Sequence, residues 1–240
     1  MRSIVTGAAQ MGAIQKAESR TEVVARMLRL LEEAAAAGCD LVVYPELCLT
    51  TFFPRWYTES RDEILAWFER EMPGPETAPL FRTRPRARDC AVTGICRTYP
   101  EGRRFNTQIV TDRAGRIVGK YRKIHLPGHA DFDPARSFQH LEKYYFEPGD
   151  LGFPVFRNLD AWMGMLICND RRWPEAYREL GLQGAELILR ATTLHHAIRR
   201  TPAKPELRQF HSDLSVQAGA YQNSAGSCRL PNAALRTATT

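Results

Sequence analysis

Met163-Gly-Met-Leu-Ile-Cys-Asn-Asp-Arg-Arg-Trp-Pro-Glu175 is the stretch on which the architecture turns. An apolar run stops at Cys168, four polar residues follow, and Pro174 suits the first turn of a helix. A strand-to-helix elbow of this kind puts the Cys168 thiol at the carboxyl end of a strand, where α/β proteins bind ligands. The nearby helix N-terminus and the guanidinium groups of Arg171 and Arg172 are expected to favour the thiolate. Taken alone, a cysteine after an apolar strand is more often plain core.

Outward from the elbow, the pattern predicts strands at 153–156, 162–167 and 186–189, with a helix from Pro174 to about 180. Nearer the N-terminus, Ser19-Arg-Thr-Glu22 is a capping box. Val23, Val24, Met27, Leu28, Leu31 and Ala35 then recur at helical spacing until Gly38. A strand at 3–10 precedes this helix and the apolar run Asp40-Leu-Val-Val-Tyr44 follows it. The β–α–β order implies a layered α/β fold. Residues 64–70 read as a helix ended by Pro73-Gly-Pro75, and 214–221 also have helical character. Strands at 106–111 and 116–121 are joined by a hairpin turn at Asp112-Arg-Ala-Gly115.

With 240 residues, 44% of them hydrophobic, the chain can bury a sizeable core. No stretch approaches the roughly 18 apolar residues of a membrane span. The N-terminus lacks the apolar segment of a signal peptide, so a cytoplasmic location is expected, with the six cysteines as reduced thiols. The net charge of +6 is uneven. Segments 82–98, 190–209 and 225–240 carry twelve of the 33 Lys and Arg but two of the 27 Asp and Glu, so the remainder is acidic. These basic segments lack interleaved aromatics, which argues against a nucleic-acid partner.

Two further residues sit at predicted strand ends. Glu46 follows Val42-Val-Tyr-Pro45, placed to act as a general base for a thiol. Lys123 ends a third predicted strand, within Gly119-Lys-Tyr-Arg-Lys-Ile-His-Leu-Pro127, where an ammonium can stabilise an oxyanion. Alone, Glu46 is an ordinary strand-end acid and Lys123 an ordinary surface cation. Three strand ends each supplying one member of a Glu–Lys–Cys set are much less expected by chance.

At these residues the chain resembles the nitrilase superfamily of carbon–nitrogen hydrolases, and within it the N-carbamoyl-D-amino acid hydrolases. The matching runs include Pro45-Glu-Leu-Cys-Leu-Thr-Thr-Phe-Phe-Pro-Arg-Trp56, Arg104-Phe-Asn-Thr107, Phe138-Gln-His-Leu-Glu142, Phe146-Glu-Pro-Gly-Asp-Leu-Gly-Phe-Pro154 and the Cys168 elbow. The resemblance implies an α-β-β-α sandwich formed by one domain over 1–240, without metal or organic cofactor. It implies Glu46 as base, Lys123 as oxyanion stabiliser and Cys168 as nucleophile, in a homo-oligomer acting on a small N-carbamoyl amino acid. Asn169, Arg171 and Arg172 are implied to hold the substrate carboxylate, because a guanidinium fork matches that group. His125, His140 and Glu142 are implied to orient Lys123 or the ureido group. The other functions in view are a different amidase or ureidopropionase-like member of the superfamily, and an inactive fragment.

The three basic segments depart from the family pattern. Neither helical nor strand periodicity is evident in them, although 82–97 should supply a core strand. There, alternating Arg82, Arg84, Arg86 and Arg88 would put charge into a sheet. Reading degenerate codons in a shifted frame restores family-like residues, so compensating frameshifts are expected. The resemblance also implies truncation at the C-terminus, with open sheet edges, apolar faces and an impaired interface. Poor stability and little activity are the expected consequences.

Overall fold

The computed structural model describes residues 3–82, 90–98, 102–192 and 205–229. Ser19 caps α1 (Arg20–Ala36) with both halves of the capping box made. Its hydroxyl accepts from the Glu22 amide, and the Glu22 carboxylate accepts from the Ser19 amide. Gly38, at φ +78°, closes the helix in a conformation that a side chain would strain. β1 (Thr6–Ala8) and β2 (Leu41–Val43) flank α1 and pair in parallel. After α2 (Arg61–Ala66) come β3 (Cys90–Thr98), β4 (Arg104–Thr111) and β5 (Ile117–Arg122). β3 runs parallel to β2 and antiparallel to β4, and the sheet order is β1-β2-β3-β4-β5.

The chain continues through α3 (Glu142–Tyr145), β6 (Val155–Asn158), β7 (Ala161–Ile167) and α4 (Pro174–Leu182). It then forms β8 (Leu187–Ala191), α5 (Pro205–Gln222) and β9 (Gly226–Arg229). The second sheet has the order β6-β7-β8-β9, with β7, β8 and β9 parallel.

Side-chain alternation stacks the layers. Leu41 and Val43 of β2 meet Met163, Met165 and Ile167 of β7 in an apolar layer between the sheets. Val42, one residue out of phase, turns to Val23, Val24, Met27 and Leu31 of α1. Leu166 and Ile188 turn the other way, to Ala176, Tyr177 and Leu180 of α4. Burying one such aliphatic side chain is worth about 1.5–3 kcal/mol. At Gly164 a Cβ would lie 2.6 Å from Leu180 Cδ2, so glycine lets α4 close on the sheet. The order of layers is therefore α-β-β-α, as the resemblance implied.

The basic segments hold more regular structure than their periodicity suggested. β3 occupies 90–98, the middle of the first sheet, so a core strand does form there. It starts after the alternating arginines: Arg82 is exposed outside any strand, and positions 84, 86 and 88 lie outside the described residues. β8 runs on through Arg190 to Ala191, and α5 begins at Pro205, nine residues before the predicted helix at 214. β9 takes 226–229. Pairing with neighbouring strands overrides weak local propensity at these positions. α2 is also shifted, beginning at Arg61 because Ser60 accepts from the Glu63 amide as its cap.

Candidate active site

Three strand ends converge. Glu46 lies three residues beyond β2, Lys123 directly follows β5, and Cys168 directly follows β7. Lys123 is fully buried, and its Nζ lies 2.6 Å from Glu46 Oε1 and 2.6 Å from Glu142 Oε2. Asn106 of β4 donates from Nδ2 to Glu46 Oε1 at 2.8 Å, and His140 Nε2 lies 3.0 Å from Glu142 Oε1. One ammonium thus faces two carboxylates, a locally anionic arrangement. The chain neighbours of both carboxylates, Leu47 and Leu141, pack in one cluster with Phe52, Phe53, Phe68 and Tyr145.

Burial pushes the Lys123 ammonium down, but the Glu142 and Glu46 carboxylates outweigh it and hold its pKa above the usual lysine range. At Cys168, burial and the Glu46 carboxylate push the thiol up to about 12, against the pull of Lys123 and Arg171. The expected thiolate is therefore corrected. At rest the thiol is favoured over the thiolate, because burial and the Glu46 carboxylate disfavour the anion by more than Lys123 and Arg171 return. Cys168 is partly exposed and has φ +44°, a left-handed conformation that costs a non-glycine residue of order 1–3 kcal/mol.

Asp170 holds this elbow. Fully buried, its carboxylate accepts from the Ile167 amide at 2.9 Å, the His125 amide at 3.0 Å and the Tyr121 hydroxyl at 2.8 Å. His125 Nδ1 lies 2.9 Å from the same carboxylate. His125 is therefore drawn to Asp170 and stacks on Trp173, with centroids 5.2 Å apart, whereas Glu142 binds Lys123 directly and His140 binds Glu142. Asn169 donates to the His125 carbonyl at 3.0 Å. Arg171 turns back on its own elbow, with Nη1 2.7 Å from the Cys168 carbonyl, while Arg172 is exposed.

Sequence reasoning gave no role to Asn106, Tyr121 or Asp170. Their partners lie far off in the sequence, Glu46 for Asn106 and Asp170 for Tyr121, so nothing local marks them. Among the described residues, no group of three or more His, Cys, Asp or Glu is disposed to hold a metal ion. No described helix is long and apolar enough to cross a membrane.

The carbon-nitrogen hydrolase family model matches residues 6–230. An N-carbamoylputrescine amidase from Solanum lycopersicum is 31% identical over 173 residues, 71% of this chain and 53% of that protein. A nitrilase from Pyrococcus abyssi is 34% identical over 168 residues, 69% of this chain and 56% of that one. The chain thus spans about half the length of these curated relatives. Among solved structures, a carbon-nitrogen hydrolase from Helicobacter pylori G27 superposes with a TM-score of 0.77 at 24% identity, covering 95% of this chain and 75% of that one. With a model match over nearly its whole length, the chain belongs to the carbon-nitrogen hydrolase family.

Proposed function

We propose that the chain hydrolyses the carbamoyl carbon–nitrogen bond of a small N-carbamoyl compound, with Cys168 as nucleophile, Glu46 as base and Lys123 as oxyanion stabiliser. The observation that carries this reading is Lys123 Nζ, bound to Glu46 at 2.6 Å and within electrostatic reach of Cys168. A thiol held protonated needs a base at the moment of attack, and Glu46 is the carboxylate with the largest influence on it. The S–H proton passes to Glu46 as sulfur bonds to the carbamoyl carbon, and the carbonyl π pair moves to oxygen beside the Lys123 ammonium. That pair returns as one carbon–nitrogen bond breaks, and Glu46 gives its proton to the departing nitrogen. Water, deprotonated by Glu46, adds to the carbonyl carbon, and as the carbon–sulfur bond breaks the departing sulfur takes that proton back from Glu46, which restores the thiol. The carbamic acid left behind releases carbon dioxide, so the products are ammonia, carbon dioxide and an amine.

Within this class, an N-carbamoyl-D-amino acid is the favoured substrate. The Solanum lycopersicum relative is named for a carbamoyl amine, which would be cationic in its free amino group. Two guanidinium groups next to the nucleophile, Arg171 and Arg172, instead suit an anionic carboxylate. Ammonia release from N-carbamoyl-D-phenylglycine, its L-enantiomer, N-carbamoylputrescine and simple amides tests this. The highest kcat/KM on the D-carboxylate is expected, and preference for the amine or the amides would overturn it.

A second reading is an inactive chain produced by compensating frameshifts. It is favoured by Arg190, whose guanidinium-bearing side chain is 1% exposed within β8, an unusual choice for a strand interior. The nucleotide sequence across codons 82–98 and 190–209 decides it: one uninterrupted, confirmed frame would remove sequencing error as the source.

A further inference from the structure

We propose that Asn106 is the positioning residue for the general base: it loads one oxygen of the Glu46 carboxylate, so that the thiol proton goes to the other. This rests on the reading of Glu46 and Cys168 given above. It adds the choice of oxygen and the residue that makes that choice.

An ionised carboxylate has two oxygens, each with two lone pairs. Both lone pairs of Glu46 Oε1 receive a donor, Asn106 Nδ2 at 2.8 Å and Lys123 Nζ at 2.6 Å. The amide must present its nitrogen here, because its oxygen would face a carboxylate. A carboxylate held by two donors at one oxygen cannot rotate about its last bond without breaking both. Oε1 is therefore filled, and Oε2 is the atom that takes a proton. In the attack step the S–H bond of Cys168 breaks and an O–H bond forms at Oε2, while sulfur keeps the electron pair and bonds to the carbamoyl carbon. The same oxygen then returns the proton to the departing nitrogen.

Asn106 also reaches the ammonium through its main chain. Its carbonyl accepts from the Lys123 amide at 2.8 Å, one residue beyond the end of β5. Side chain and backbone of a single residue thus fix the base and the oxyanion stabiliser relative to each other, although Glu46 is 60 positions away. A framework role alone does not account for this side chain. It is fully buried, and its Oδ1 meets no donor among the described residues, a cost that an aliphatic side chain would avoid. The amide is also neutral. A second cation in its place would hold Glu46 as firmly but weaken it as a base.

The test compares Asn106→Leu, which keeps most of the volume without a donor, and Asn106→Ala with the full parent chain, each followed by thermal melting. One measurement needs no substrate. With both donors on one oxygen, the two carbon–oxygen bonds of Glu46 are unequal, which widens the separation between its antisymmetric and symmetric carboxylate stretches. Infrared difference spectra against Glu46→Gln single out those bands, and in either variant the separation should narrow. The other measurement is kcat and KM on N-carbamoyl-D-phenylglycine. Loss of the hold on Oε1 should lower kcat about ten-fold or more and leave KM within about two-fold, because Asn106 touches the base and not the substrate.

An unchanged separation, an unchanged kcat or a rise in KM alone, in a variant that melts like the parent, would overturn the proposal. So would failure of both variants to fold, which would place Asn106 in the framework. Failure of the parent reading looks different: the unaltered chain would turn over no carbamoyl compound. The infrared comparison would still decide whether Asn106 loads one oxygen of Glu46.

Discussion

The Tyr121 hydroxyl donates to Asp170 Oδ2 at 2.8 Å, and this buried bond joins the strand that leads to Lys123 to the elbow that bears Cys168. Tyr121 lies two residues before Lys123, and Asp170 lies two residues after Cys168. The two sheets that face each other across the apolar layer are thereby tied at their active ends. The same hydroxyl also accepts from the Ile124 amide at 3.3 Å, so it fixes the turn immediately after the lysine.

Tyr121→Phe deletes that tie without changing the volume of the layer. A hydrogen bond to a charged partner contributes about 1.5–3 kcal/mol, and urea unfolding should show a loss of that size. Activity should fall as well, because the two strand ends lose their common register. Asp170→Asn should cost more, since the Ile167 and His125 amides also depend on the carboxylate. A Tyr121→Phe chain as stable and active as the parent would show that apolar packing alone sets the site.

Glu46 and Lys123 should separate by their effects on stability. Glu46→Gln keeps the shape and the bond from Asn106, so the fold should hold while kcat drops on the order of 10²–10⁴-fold. Lys123→Met leaves Glu46 and Glu142 buried without their cation, at a cost of about 3–5 kcal/mol. A Lys123→Met chain that melts like the parent would mean that the carboxylates find another partner. Thermal melting beside an ammonia assay separates the two cases.

Alkaline pH should destabilise the chain through Cys168. Burial and then Glu46 raise its thiol pKa to about 12, from an ordinary value of 9.0. A group with a raised folded pKa contributes stability that is fully present below the unfolded pKa and is lost as pH rises through the folded one. Stability attributable to Cys168 should therefore fall between about pH 9 and 12, and Cys168→Ala should flatten that limb of the curve. Alkylation of the native thiol should likewise keep rising with pH beyond 9 instead of reaching a plateau near neutrality. A plateau by pH 7 would show that the thiolate is present at rest.

Self-association is expected through α5. Leu207, Phe210 and Leu214 are 50%, 57% and 52% exposed and recur at helical spacing, an apolar stripe of the kind that pairs with a second copy. Sedimentation over a range of concentrations should show a reversible increase in mass, and Phe210→Glu should abolish it. A chain that stays monomeric at high concentration would remove α5 as an interface.

Local chemistry determined much of this protein on its own. Ser19 and Glu22 close a capping box within four residues, and Val42 and Val43 alternate faces with period two, so α1 and β2 were legible from neighbours in the chain. Glu46 and Cys168 were legible as strand-end residues because an apolar run stops just before each, and Lys123 because it closes the second strand of the hairpin. What only the tertiary structure decided lies where partners are distant in sequence. β3 forms in a stretch without clear periodicity because β2 and β4 supply its hydrogen bonds from both sides. The raised pKa of the Cys168 thiol turned on burial and then on Glu46, 122 positions away, neither of which a reading of the elbow includes. Arg171 likewise turns back to the Cys168 carbonyl while Arg172 stays exposed, since adjacent residues of one type differ only once packing gives them different surroundings.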